Sequence, residues 1–134
     1  MKNLNESLGP VGYDDLFCTN VPVADVFTVK IRKEASAAAH YKRGTVLALS
    51  EGTAGDGKMV ILGSTAKSNE TLTANCILAD DEDVGTDADV TVLAYRTGHF
   101  NRNKLIVKSS YTLSAADEEA LRKGGILLSD ALAN

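Results

Sequence analysis

Glycine, aspartate and asparagine cut this chain into short β-prone runs, and that punctuation limits the fold more than any other feature. The runs are 25–33, 43–49, 59–62, 75–79, 90–97 and 104–108. In the first, Phe27, Val29 and Ile31 fall on one face, with Thr28, Lys30 and Arg32 on the other. A period of two with one apolar face predicts a half-buried strand. The run 90–97 is apolar on both faces, so it is placed centrally in a sheet. Asp56-Gly57 between two runs is a hairpin signal. The stretches 34–40, 64–73, 80–89 and 98–103 read as turns or loops, the first with room for one helical turn.

One helix interrupts the strand text. Ser114 is a suitable N-cap and Asp117 follows three residues later, a variant of the capping box. Asp117, Glu118 and Glu119 sit at the positive end of the helix dipole, and Arg122 and Lys123 at the negative end. Gly124 and Gly125 end the helix in a left-handed cap, so it spans 115–123. Ile126-Leu127-Leu128 follows as a last strand or docking segment. The expected class is therefore α+β: a small β-rich single domain with one clear helix.

Residues 1–24 fit neither pattern. Gly9-Pro10, Gly12, Asn20 and Pro22 interrupt every periodicity, yet Val11, Tyr13, Leu16, Phe17, Val21 and Val23 are apolar. A disordered tail carries few such residues. This is an irregular arm, and two placements are open: it packs on another chain, or it crosses the surface of its own domain. The division that follows is an arm over 1–24 and a body over 25–134.

Composition removes several function classes. Aromatics make up 5% of the chain and Trp is absent, so the core is aliphatic and offers no stacking platform for bases. The net charge is -4 and no long basic run exists, which argues against a nucleic-acid partner. No apolar run approaches the roughly 20 residues that cross a bilayer, so no membrane role is expected. Cys18 and Cys76 belong to no CxxC pair and read as buried thiols of an intracellular protein.

No constellation of catalytic or metal-binding residues emerges. His40 and His99 are the two histidines, and neither has a second ligand at metal spacing. The acidic stretch from Asp80 to Asp89 places Gly85 sixth but Thr91 twelfth, where a calcium loop needs Glu. Gly57-Lys58 is followed by Met59 and a strand, not by the Ser or Thr and helix of a phosphate loop. The expectation is a non-enzyme with no cofactor and no metal.

Three runs in order then carry a resemblance: Arg43-Gly44-Thr45-Val46-Leu47, Cys76-Ile77-Leu78-Ala79-Asp80-Asp81, and Val92-Leu93-Ala94-Tyr95-Arg96-Thr97-Gly98-His99-Phe100-Asn101. With the closing Leu121 to Leu128 stretch, this set resembles the head decoration protein D family of lambda-like tailed phages, over roughly residues 25 to 132. The resemblance implies a β-tadpole-like architecture and a homotrimer. It implies a partner, the major capsid protein, and a place on the outer capsid surface of the virion after synthesis in the host cytoplasm. Such trimers sit at three-fold and quasi-three-fold sites, bind the expanded shell and brace it against DNA pressure. The arm would be the capsid-binding element, adding strand-like pairing to the capsid protein. It is more apolar than the family's usual arm, which leaves packing within the trimer open for part of it.

Three rival readings have their own discriminators. A monomeric β-rich small-molecule-binding or carrier domain would show the mass of one chain and a preformed polar pocket. An enzyme using His99 with the acidic stretch would lose activity when His99 is replaced. A head-fibre or tail component would share the β-rich fold.

Overall fold

A computed structural model describes residues 15–19 and 21–130 of the chain. The elements are β1 (Phe17–Thr19), β2 (Asp25–Ile31), β3 (Ala39–Tyr41), β4 (Val46–Glu51), β5 (Met59–Ile61), β6 (Thr71–Leu78), β7 (Glu82–Val84), β8 (Val90–Asn101), α1 (Ala115–Gly124) and β9 (Ile126–Ser129). A 3-10 turn, Arg102–Lys104, follows β8.

Five strands close into a barrel in the order β8-β2-β5-β4-β6, and β6 pairs back onto β8. All these pairings are antiparallel except β2 with β5. The closing contacts are short: Ile31 with Met59 between β2 and β5, and Ile77 and Leu78 with Tyr95 and Ala94 between β6 and β8. The described chain is thus a small, mostly β domain with one helix.

The period-two pattern sorts side chains into two cores. Ile31, Leu47, Met59, Cys76, Leu78, Val92 and Ala94 fill the barrel interior. Val46, Ala48, Val60, Ala74 and Ile77 point outward from the same strands and are covered by Leu16, Phe100, Leu121 and Ile126. β4 and β6 are therefore apolar on both faces, one face per core. β6 changes phase on the way: Leu47 pairs with Cys76 but Ala48 pairs with Ala74, which leaves Asn75 as the extra residue of a bulge. In a regular strand Ala74 and Cys76, two apart, would face the same core; the bulge lets them serve one core each.

The helix follows its caps. The Ser114 hydroxyl accepts from the Asp117 N–H, Asp117 accepts from the Ser114 N–H, and Gly125 closes the helix in the left-handed region at φ 109°. Leu121 is its buried residue. The alternation of β2 is as its sequence dictates, with Phe27, Val29 and Ile31 against the barrel interior. β4 and β5 form an antiparallel pair joined through Asp56-Gly57, and Gly57 adopts φ 74°.

A charged cluster ties the connections at one end of the barrel. Arg32 donates to both oxygens of Asp56 at 3.0 and 3.1 Å and to Glu70 at 2.5 Å. Glu70 is buried and also accepts from the Lys67 N–H at 2.8 Å and from the Ser50 hydroxyl. The Lys67 N–H, then Ser50 and Arg32, hold the Glu70 carboxyl down at about 2. Arg32, with the Lys58 N–H, holds Asp56 at about 2. The cluster fastens the 51–57 and 64–70 connections to the end of β2.

Five stretches depart from the sequence reading. β6 starts at Thr71, inside the expected 64–73 loop, because Thr71 and Thr73 pair with Glu51 and Leu49. β8 runs through the expected 98–103 turn to Asn101, since strands flank it on both sides there. The expected strand 104–108 is a 3-10 turn and an isolated bridge, Thr45 to Ile106; Leu105 and Val107 still pack on the outer core. The stretch 34–40 forms no helical turn, and Ala39–Tyr41 pairs with Glu82–Val84 of the acidic stretch in a separate two-stranded sheet. Cys76 is fully buried and its thiol is pushed up to about 12, whereas Cys18 is only half-buried.

Candidate interaction surface

The six apolar arm residues do not share one environment. Val11 and Tyr13 lie outside the described residues. Leu16 is 1% exposed and belongs to the outer core. Phe17 is half-buried and packs on that core. Val21 and Val23 are 76% and 75% exposed.

Leu16 and Phe17 are seated by the residues that carry the ordered sequence motifs. The Asn101 N–H donates to the Leu16 carbonyl at 2.7 Å, and the Asn101 side-chain amide donates to the Asp15 carbonyl at 3.1 Å. Gly44 has φ 97°, and a Cβ there would lie 3.4 Å from a Leu16 methyl and 3.3 Å from the Lys104 carbonyl oxygen. Glycine is required at that turn by its backbone and by this approach. Phe17 meets Tyr95 edge-on at 5.1 Å between centroids and Phe100 at 4.8 Å. The Arg43 guanidinium lies 5.7 Å from the Phe17 centroid and 5.4 Å from that of Tyr95, and it donates to the Tyr95 hydroxyl and the Ala79 carbonyl. Aromatic and cation–π contacts of this kind each contribute about 0.5–1.5 kcal/mol. The Arg43 N–H donates to Asp81 at 2.8 Å, which links the first motif to the end of the second.

Past this seat the chain lies over the outside of the barrel. Thr19 accepts from the Val21 N–H and donates to the Val21 carbonyl, both at 3.0 Å. The Thr97 hydroxyl donates to the Val23 carbonyl at 2.8 Å. Their backbone is fixed while the two valine side chains face solvent. On the barrel wall Val26 and Leu93 are also exposed, at 43% and 41%. Val26 pairs with Tyr95 and Thr28 with Leu93, so all four lie on the outward face of β2 and β8.

The remaining candidate residues have structural partners. His40 contacts Asp83 at 2.6 Å and Asp81 at 3.8 Å across β3 and β7. Asp89 pairs with Lys58 at 2.6 Å and accepts from the Lys33 N–H at 2.9 Å. Among the described residues no three acidic, cysteine or histidine side chains converge as a metal site. A groove of about 450 Å³ between α1 and β9 includes His99, Glu118, Glu119 and Arg122 in its lining. Its charges are paired, Arg122 with Glu119 and Arg102 with Glu118. Among the described residues no helix is long and apolar enough to cross a membrane.

The family model described as bacteriophage lambda head decoration protein D matches residues 27–127. No curated protein matches the chain.

Proposed function

The chain belongs to the bacteriophage lambda head decoration protein D family, and from that premise we propose that it is a capsid decoration protein on the outer surface of the virion. It binds the major capsid protein as a homotrimer at three-fold and quasi-three-fold sites of the expanded shell and holds that shell against DNA pressure. Within the 1–24 arm, Leu16 and Phe17 anchor to the body over 25–134. Val21, Val23 and the residues before Asp15, Val11 and Tyr13 among them, make the capsid contact. The mostly β barrel with its one helix supports the α+β, β-tadpole-like class.

The observation that carries this division is a contrast within a few residues: Leu16 is 1% exposed and Val21 is 76% exposed. A segment fastened at one end and apolar beyond is suited to lie along a neighbouring sheet edge, where main-chain hydrogen bonds supply affinity. Three such segments on one trimer multiply affinity by roughly 10²–10⁴ when all engage. Selective binding to the expanded shell stabilises that state by mass action.

The test mixes the protein with expanded and unexpanded shells and measures co-sedimentation, beside its mass in solution. The expected result is binding to expanded shells alone and a mass three times the 14.2 kDa of the chain. A truncation of residues 1–13, and separately Val21→Asp with Val23→Asp, should weaken binding while leaving the fold intact. Binding to neither shell, or full binding by both variants, overturns the proposal. Truncation through residue 22 does not test it, because that deletion also removes Leu16 and Phe17 from the core.

A further inference from the structure

β1 and β9 are the two short strands that flank the C-terminal half of β8, one antiparallel and one parallel. Their residues are 111 positions apart in sequence at Cys18 and Ser129, yet their side chains meet across β8. The register of β1 explains how. Phe17 pairs with Phe100 and Thr19 pairs with His99, so Cys18 is the extra residue of a bulge. Bulges re-aim a side chain out of the ladder. Here the Cys18 thiol donates to the Ser129 carbonyl at 3.6 Å, and the Ser129 hydroxyl donates back to Cys18 Sγ at 3.4 Å. His99, on β8 between them, reaches the Ser129 hydroxyl with Nε2 at 2.8 Å and lies 3.5 Å from the Thr19 hydroxyl with Nδ1.

The two strands are also joined on the other face and at their ends. Phe17 and Leu128 both pack on the outer core beside Phe100 and Ile126. Asn101 holds the carbonyls of Asp15 and Leu16. Its neighbour Arg102 pairs with Asp130 at 3.0 Å and with Glu118 of α1 at 2.9 Å. Two consecutive residues thus grip the first and last parts of the described chain.

We infer that Cys18, His99 and Ser129 form a side-chain latch over β8 that couples the N-terminal segment to β9, so that the two strands open and close as one local unit. Short strands at the rim of a domain are drawn from the low-stability end of its local openings. Strands bound only to β8 would open independently; joined to each other, each must open against both sets of contacts. Coupling of this kind is reciprocal, so loosening either strand must loosen the other by the same factor. A partner that holds residues before Asp15 would thereby also order β9. The inference itself stands without the capsid reading, since the free protein carries every residue it needs.

Hydrogen exchange on the free full-length protein tests it. Ser129→Ala should speed exchange about fivefold at 17–19 as well as at 126–129, the factor expected for one ordinary hydrogen bond. The amides of β4 and β6 should keep their rates. Cys18→Ala, from the opposite side, should speed exchange in β9 by a similar factor, and Thr28→Ala on the barrel wall should leave both strands unchanged. Acceleration confined to the mutated strand, acceleration spread evenly over the barrel, or no acceleration overturns the latch.

Discussion

Replacing Leu16 by alanine asks whether the segment before β2 is part of the fold. The side chain is 1% exposed, sits in the outer core with Val46, Ile77, Phe100 and Leu121, and approaches the backbone of Gly44. Truncation removes three carbon atoms from that site, about 2.4 kcal/mol at the transfer value of each buried carbon. The cavity left behind adds to this, for a total of about 3–5 kcal/mol. Gly44 and the Asn101 hydrogen bonds fix the backbone on either side, so the site has little freedom to collapse. Against a total stability of about 5–15 kcal/mol, this is a large fraction. With an unfolding entropy near 2.1 cal/mol/K per residue, a loss of about 3 kcal/mol lowers Tm by about 10 °C. The assay is urea unfolding followed by circular dichroism, with Val23→Ala as the control. Val23 is 75% exposed and should change stability by no more than about 0.5 kcal/mol. If Leu16→Ala stays within that range, or Val23→Ala proves equally costly, the assignment of Leu16 to the core is refuted.

Gly98→Ala should destabilise by about 1–3 kcal/mol, because its φ of 147° suits glycine and a Cβ would lie 2.7 Å from the Phe100 ring; an unchanged urea midpoint would contradict this. Acid should also weaken the fold through Glu70 and Asp56. Both carboxyls are held at about 2 in the folded chain. A depressed folded pKa contributes stability above the unfolded value, near 4, and that contribution is lost as pH falls from about 5 to about 2. The urea midpoint should therefore drop more over that window in the native chain than in Glu70→Gln, and equal drops would refute the role of Glu70.

The parts of the fold that are legible in the sequence are those set by local chemistry. The alternation of Phe27, Val29 and Ile31 specifies β2, Ser114 with Asp117 specifies the start of α1, and Asp56-Gly57 specifies the β4–β5 turn. The illegible parts depend on distant partners. Gly98, His99 and Asn101 have turn-forming composition, but β1 and β9 flank them and hold them extended. Leu105 and Val107 alternate as a strand would, yet the backbone there finds only the bridge between Ile106 and Thr45. Glu82 and Asp83 have little β propensity, and β3 supplies the pairing, with His40 opposite Asp83. The arm shows the same limit. Its apolar content is plain in the sequence, but the split between Leu16 and Val21 is not. The seat for Phe17 is made by Arg43, Tyr95 and Phe100, which only the closed barrel brings together.

The bulge at Asn75 gives β6 a tolerance of an unusual kind. Its half-buried side chain belongs to neither core cluster, so the residue type at this position has little to satisfy. What the position absorbs is phase. With Asn75 out of the ladder, Ala74 and Cys76 alternate as if they were adjacent, so deleting it would restore a regular ladder and leave every other side chain of β6 on its own face. Drawing Asn75 into the ladder would instead turn the strand before it through half a period, and Ala74 would swap the outer core for the barrel interior. Position 75 therefore acts as slack in the strand, indifferent to substitution and tolerant of deletion, whereas its neighbours in β6 have no residue to spare.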